Sequence, residues 1–481
     1  MSIRKLIAHG VRWNTLTTMI TSLSHFIIIL TIARLLGPEE LGQLATAWIW
    51  MRITLPALDL GLSNSYIQVD RISKLKASTL FWVQIILGIF LFTFTSFIFA
   101  HFFSRFYNDP ELLILLRWFA LAFLISAPGL LYSAALKKRL KFGMLSGIKI
   151  TSVLTEMIVA ILLLVFWQDI LAVIIAYLAR NIIYTSGVIG YGYHYFKPTL
   201  KFNFIKSWPQ LRFGIFDFGA QIMNQFSTQV DRLIIGKVLG QSALGIYVLA
   251  WDLMITPVAR ISGVFNHSVY PVFARISEST DKLSKSYSAV LSIIWMIISP
   301  ILIFLLLWAE PLIDVLFGGR WIEAASVLQI LCLAGLFKGL SSTGYAIIMA
   351  KNRTDIGFLW NAMWTVLLSA GLLFSLALIP DVKAAAWTVV ILTFGAGWLW
   401  HVMISRVGKV SYGEILIDLY KGSLMLIPMA AILLILKYLL SGMDNTLLLL
   451  SGSFLGIVIY LLTLWLFRPS LIRSLTKTYL H

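Results

Sequence analysis

Thirteen charged side chains lie inside stretches that are otherwise apolar enough to cross a bilayer. The basic ones are Arg34, Arg52, Arg117, Lys149, Arg180, Arg232, Arg260 and Lys338; the acidic ones are Asp59, Glu156, Asp217, Asp231 and Asp252. A charge at the bilayer centre costs about 2.5–3.5 kcal/mol on insertion scales, so such a residue needs a wet cavity or a partner. Arg34, Arg117 and Lys149 fall near the ends of their stretches, where a long side chain snorkels to the interface. Asp217 also lies near the end of its stretch, and the others sit deeper. All thirteen together balance at about +3, which suits an anionic cargo, and Arg suits phosphate through bidentate donation.

Depth follows from counting residues outward from each turn. Glu156 lies twelve residues before the turn at Gln168 and Arg180 twelve after it, so both belong near the midplane. That pairing fits a structural ion pair. It equally fits a protonatable coupling site tuned by its cation. About the turn at Gly240, Asp231, Arg232 and Asp252 form a charged cluster toward the outer side. Arg52 lies two turns from Asp59 at about the depth of His25, and Arg260 lies deeper, near the level of Gln221. Asp59, Asp231 and Asp252 are further coupling candidates. Lys338, Ser342 and Tyr345 follow the i, i+4, i+7 spacing of one helix face. Tyr177, Tyr184 and Tyr191 recur every seven residues, which suits helix packing better than sugar stacking.

Other chemistries lack their motifs. There is no H-E-x-x-H pair and no G-x-x-x-x-G-K-[ST] phosphate loop, so neither zinc hydrolysis nor ATP hydrolysis is indicated. A single cysteine, Cys332, excludes an internal disulfide and thiolate clusters. The sequence calls for no cofactor, no metal and no nucleic acid.

The elements that must position these residues are membrane helices. The 481 residues are 59% hydrophobic and 12% charged, against about 45–50% and 25% for a soluble domain. Apolar runs of about 20 residues predict fourteen spans: 11–36, 41–63, 79–103, 112–136, 144–167, 169–195, 212–239, 244–272, 287–309, 323–350, 356–379, 382–404, 420–440 and 446–467. About 25 Lys and Arg fall in one set of loops and only Arg105, Lys237, Arg320, Lys383 and Lys437 in the alternate set. The positive-inside rule then puts both termini in the cytoplasm. Most of the net charge of +17 is therefore a topology signal.

The chain also repeats itself. Arg34-Leu-Leu-Gly-Pro-Glu-Glu-Leu-Gly42 aligns with Lys237-Val-Leu-Gly-Gln-Ser-Ala-Leu-Gly245 at an offset of 203, which brings Ala47-Trp48 onto Ala250-Trp251. At the same offset the polar stripe Asn14, Thr18, Thr21, Ser22 and His25 falls on Asp217, Gln221, Asn224, Gln225 and Thr228. Six spans separate the copies, so the repeat is parallel, about an axis along the membrane normal. Cargo sites in repeat-built transporters lie between the halves near the midplane. His25 reads more readily as a helix-contact residue than as a proton relay. The divisions expected are a six-helix bundle over 1–205, a second over 206–410, and two additional helices over 411–481.

Several segments carry a family resemblance. They are Ala33-Arg-Leu-Leu-Gly-Pro-Glu-Glu-Leu-Gly42, Leu58-Asp-Leu-Gly-Leu62, Val230-Asp-Arg-Leu-Ile-Ile-Gly-Lys-Val-Leu-Gly240, Tyr270-Pro-Val-Phe-Ala-Arg275, Leu316-Phe-Gly-Gly-Arg-Trp-Ile-Glu-Ala324 and Ala350-Lys-Asn-Arg353. With them the chain resembles the Wzx-type polysaccharide flippases of the multidrug/oligosaccharidyl-lipid/polysaccharide exporter superfamily, nearest the colanic acid and teichuronic acid exporters. The resemblance implies an all-α, MATE-like polytopic fold in the bacterial inner membrane. It implies two pseudo-symmetric six-helix bundles plus two C-terminal helices. The activity implied is alternating-access transfer of an undecaprenyl-diphosphate-linked oligosaccharide to the periplasmic leaflet, without enzymatic chemistry. Membrane lipids, a polysaccharide polymerase and chain-length machinery are the partners it implies. Arg52, Arg180, Arg232, Arg260 and Lys338 are then the expected seats of the diphosphate. The alternatives are a cation-coupled drug exporter of the same superfamily and a membrane polymerase or ligase. The first typically places a carboxylate in the first helix, and the second a sizeable periplasmic loop; neither is visible here.

Overall fold

The computed structural model describes residues 3–69, 72–201, 203, 208, 212, 225–440, 442 and 444–467. Every regular element among them is helical. They fall into two compact units, Met1–Gly245 and Ile246–His481.

The first unit contains α1 (Ile3–Leu35), α2 (Pro38–Asp59), α3 (Leu62–Gln68), α4 (Lys74–Thr93), α5 (Ala100–Tyr107), α6 (Glu111–Lys138), α7 (Phe142–Trp167), α8 (Leu171–Gly192) and α9 (225–239). Local chemistry sets the boundaries. Pro38 opens α2 where its missing N–H is harmless, and the amide of Gly37 donates to Glu40 Oε2 at 2.9 Å. Glu39 and Glu40 also oppose the positive end of the helix dipole. α2 stops at Leu60 and Gly61, both in the left-handed region (φ 45° and 63°). Ser73 caps α4 by accepting from the amide of Lys76. Residues Phe94–Phe99 form a π-helical stretch joining α4 to α5. Such a stretch loosens the backbone ladder, and Arg117 Nε donates to the carbonyl of Ser96 at 3.3 Å. α6 is the centre of this unit, with α2, α3, α4 and α8 against it; α7 lies between α8 and α1.

α10 (Gln241–Ile276) leads from the first unit into the second. There follow α11 (Thr280–Leu307), α12 (Ala309–Phe317), α13 (Ile322–Ser341), α14 (Gly344–Ala350), α15 (Thr354–Leu378), α16 (Val382–Gly408), α17 (Tyr412–Leu424), α18 (Leu426–Leu439) and α19 (Asn445–Phe467). α13 packs between α11 and α16, and α15 covers α16. The last helices are fastened to this unit, α17 and α18 on α11, α19 on α12 and α18. Buried Trp308, at the start of α12, anchors that corner against Met429, Leu433 and Leu448.

Among the described residues twelve helices are long and apolar enough to cross a membrane, so the expected count of fourteen is not reached. The expected span 41–63 is a helix, α2, but carries Glu39, Glu40, Arg52 and Asp59 within 22 residues. Of the span 212–239, only 212 and 225–239 lie within the described residues. The span 323–350 is broken at Ser342 and Thr343, so Lys338 and Tyr345 do not share one continuous helix face.

Within the first unit, the opening turns of α2 and α10 cross so closely that backbone meets backbone. A Cβ on Gly42 would overlap the carbonyl of Gln241; a Cβ on Gly245 would overlap the carbonyl of Pro38 and lie 3.1 Å from the amide nitrogen of Gly42. The two contacts are reciprocal at the 203-residue offset, Gly42 answering to Gly245 and Pro38 to Gln241. Thr46 Oγ1 donates to Gln241 Oε1 at 2.8 Å across the crossing. Gly42→Ala and Gly245→Ala should each cost at least about 1–3 kcal/mol by overpacking, read as a lower apparent melting temperature of the detergent-purified protein. Gly147→Ala, whose Cβ would meet nothing, should leave it unchanged.

Candidate functional site

Glu156 on α7 and Arg180 on α8 form an ion pair, Nη1 to Oε2 at 3.0 Å, with side-chain exposures of 14% and 32%. Each lies within two residues of the middle of its apolar helix. Equal spacing from the turn at Gln168 brings them level, and the close packing of α7 on α8 brings them together. The guanidinium also stands 5.9 Å from the ring centre of Tyr177, one turn earlier. That ring is buried and meets Trp48 edge-on at 4.7 Å. Asn181 Nδ2 donates to the carbonyl of Tyr177 at 2.8 Å, and Ser126 Oγ donates to Asn181 Oδ1 at 3.3 Å. The pair is thus held by side chains from α2, α6, α7 and α8. Of the other spaced tyrosines, Tyr184 bonds Ser133 Oγ at 3.1 Å, while Tyr191 is exposed. The three do not make one stacking face.

Asp59 ends α2, and its Oδ1 accepts from Ser63 Oγ (2.6 Å), the Ser63 amide (3.3 Å) and Gln84 Nε2 (2.7 Å). This carboxylate ties α2 to α3 and α4. Ser63 escapes sequence reading because a short polar helix after a glycine turn leaves no periodic signal, and Gln84 because it is a lone polar residue within the apolar run of α4.

Asp231 and Arg232, neighbours on α9, are both buried, at 4% and 5% exposure. Arg52 and Asp252 are half-buried and Arg260 is exposed. Asn14 lies in α1, but its side chain, like all of Asp217, Gln221 and Asn224, is outside the described residues. Thr18 and Thr21 are half-buried; His25 and Thr228 are exposed. The hydroxyls of α1 bond back to their own helix, Thr17 to the carbonyl of Trp13, Thr21 to that of Thr17 and Ser22 to that of Thr18, each at 2.7 Å. Thr228 does the same to Gln225 at 2.9 Å. A hydroxyl satisfied this way sits against lipid or water at little cost.

In the second unit, Lys338 on α13 lies half-buried between two indoles, its Nζ 5.1 Å from the ring centre of Trp251 on α10 and 5.2 Å from that of Trp364 on α15. Both are within cation–π range. One turn before Lys338, Gly335 lets Met254 of α10 close on α13, since a Cβ there would stand 2.7 Å from the Met254 sulfur. No sequence pattern marks either tryptophan as a neighbour of Lys338, because 17 tryptophans dilute any one.

A cavity of about 270 Å³ lies elsewhere in this unit, lined by Leu291, Phe337, Leu340, Trp398, His401 and Tyr412 among others, and by none of the expected site residues. In it the Tyr412 hydroxyl lies 2.9 Å from His401 Nδ1.

The twelve apolar helices among the described residues make this a multi-pass helical membrane protein, and its structural likenesses give it the MATE-like fold. The inward closed conformation of the lipid II flippase MurJ matches with a TM-score of 0.74 and 16% identity, over 95% of this chain and 100% of that one. An inward-facing multidrug resistance MATE family transporter of the MOP superfamily matches with a TM-score of 0.62 and 14% identity, over 84% and 99%. The chain belongs to the family of polysaccharide biosynthesis proteins, whose model matches residues 31–326. The lipopolysaccharide biosynthesis protein WzxC of Escherichia coli (strain K12) is 25% identical over 442 residues, 92% of this chain and 90% of that one.

The Glu156–Arg180 pair makes an asymmetric prediction. A carboxylate left alone can take up a proton, whereas an isolated guanidinium cannot shed one. Glu156→Ala should therefore lower the yield of monodisperse protein more than Arg180→Ala, and the double variant should exceed Glu156→Ala. Equal yields for all three would show that the pair carries no stability.

Proposed function

We propose that this protein is a flippase of polysaccharide biosynthesis, moving an undecaprenyl-diphosphate-linked oligosaccharide across the bacterial inner membrane by alternating access. One observation carries the reading: in a chain of this family, cations outnumber acids within the membrane-level helices. A diphosphate is the anion such cations would bind in a low-dielectric lumen. The names of WzxC and of MurJ, a lipid II flippase, support a lipid-linked cargo. α1 contains no Asp or Glu, which counts against a cation-coupled drug exporter.

In this reading the cations that serve the diphosphate are Arg52 and Arg180 in the first unit and Lys338 and Arg260 in the second. Arg232 is buried in this state and reaches the cargo only after a rearrangement. The sugars occupy the polar stripes of Asn14, Thr18, Thr21 and His25 and of Asp217, Gln221, Asn224 and Thr228. The lipid tail stays in the bilayer. Glu156 couples an ion gradient by gaining and losing its proton beside Arg180; Asp59, Asp231 and Asp252 are weaker candidates, Asp59 because its oxygen is engaged structurally. The repeat supports bundles over 1–205 and 206–410 followed by 411–481, with both termini cytoplasmic. A polymerase and chain-length machinery would receive the product.

Deleting the gene should accumulate the lipid-linked oligosaccharide on the cytoplasmic leaflet and abolish surface polysaccharide. Alanine at Arg52, Arg180, Arg260 or Lys338 should restore surface polysaccharide poorly at normal protein level, whereas Arg232→Ala should act by lowering protein level. Unaltered polysaccharide output from all five variants contradicts the assignment. Glu156→Gln keeps an acceptor for Arg180, so it should express normally and lose gradient-driven transport; normal transport by that variant contradicts the coupling role.

A further inference from the structure

Lys338 is held in a way that suits one kind of ligand. Trp251, Lys338 and Trp364 come from three helices, and each lies within four residues of the middle of its apolar stretch. All three are half-buried, open enough to meet a ligand. Two indoles bracket one ammonium at nearly equal distance, 5.1 and 5.2 Å. The negative face of an indole stabilises a cation that water no longer reaches. The same broad face accepts the C–H face of a sugar ring, as an apolar surface with a polar tip. An ammonium offers three rotatable donors as a point charge, which suits a phosphate approached from more than one direction.

We propose that Trp251, Lys338 and Trp364 form the seat of the sugar–phosphate junction, the glycosyl phosphate where the first sugar joins the diphosphate. In the structure the two indoles flank the ammonium. On binding, the ammonium turns to the phosphate oxygens as a charge-assisted donor, and the vacated indole faces receive the first sugar. The exchange makes recognition of sugar and phosphate one event, since neither indole is free for the sugar until the phosphate has drawn the lysine away. Gly335 serves this arrangement by bringing α13 close to α10. Trp251 and Trp364 are thus specificity residues for a glycosylated lipid over a bare one. This inference rests on the flippase reading.

The test is binding of two soluble probes to the full chain in detergent, farnesyl diphosphate and farnesyl-diphospho-N-acetylglucosamine, followed by titration calorimetry. The wild type should prefer the glycosylated probe. Lys338→Met should weaken both probes about tenfold or more. Trp251→Leu and Trp364→Leu should each weaken only the glycosylated probe, about fivefold to tenfold, and leave farnesyl diphosphate unchanged or tighter. Retained binding of the bare probe shows that a variant is folded. Trp→Phe variants, which keep apolar bulk, should fall between. Equal loss for both probes in the Trp variants would make the indoles mere supports for Lys338 and overturn the inference, as would no loss for either. If those results come with intact flipping of lipid-linked oligosaccharide, the inference alone fails. If the wild type binds neither probe and flips no such lipid, the flippase reading fails with it.

Discussion

The structure turns on the cost of keeping charge out of water. A chain with so few charged residues could exclude them from its apolar helices altogether, and it does not. Three of the described charge sites show how specific neighbours hold them. Glu156 meets Arg180, and the guanidinium leans on Tyr177. Lys338 rests between Trp251 and Trp364. Asp59 is tied by Ser63 and Gln84. These are different solutions to one problem: an acid supplies opposite charge, an indole supplies a quadrupole, and an amide or hydroxyl supplies donors. A carboxylate supplies a full opposite charge, whereas an indole face supplies only a quadrupole.

The rest of the packing keeps these charges in register. Depth along a helix is fixed by its rise of 1.5 Å per residue, so two ions meet only if their helices neither slide nor separate. Small residues set that register. Gly335 draws α13 against Met254, and reciprocal Gly42 and Gly245 let α2 and α10 touch through their backbones. The second contact is the more informative, because its two halves correspond at the same offset that aligns the repeated sequence. A contact of that symmetry is what a parallel internal repeat would produce if both copies kept the residue that permits it.

Much of the helical architecture was legible in the amino-acid sequence, for a simple physical reason. The bilayer demands long apolar runs, and long runs stand out. The Glu156–Arg180 pair was legible for a related reason, since residues equally far from a tight turn must sit level. What escaped notice depends on short-range geometry. The break at Ser342 interrupts an apolar run without a proline or a glycine at that position. The burial of Arg232 follows from packing around α9, which no periodicity encodes. Trp251 and Trp364 lie more than a hundred residues apart, and aromatic residues make up 14% of the chain; only the folded arrangement selects these two. The polar stripe of α1 was legible from its spacing, whereas the return of the Thr21 and Ser22 hydroxyls to their own helix was not.

These features place cations and acids inside apolar helices of a polysaccharide biosynthesis family protein. The central claim is that the diphosphate is what those cations recognise during transfer. The most direct measurement uses proteoliposomes carrying a fluorescent undecaprenyl-diphosphate-linked oligosaccharide in both leaflets, with a membrane-impermeant glycosidase added outside. The account predicts that cleavage rises from about half of the lipid in protein-free vesicles toward completion when the protein is present, and that a neutral glycolipid with the same sugar and tail stays at half. Cleavage that remains at half for the diphosphate lipid, or that rises equally for the neutral one, would contradict it.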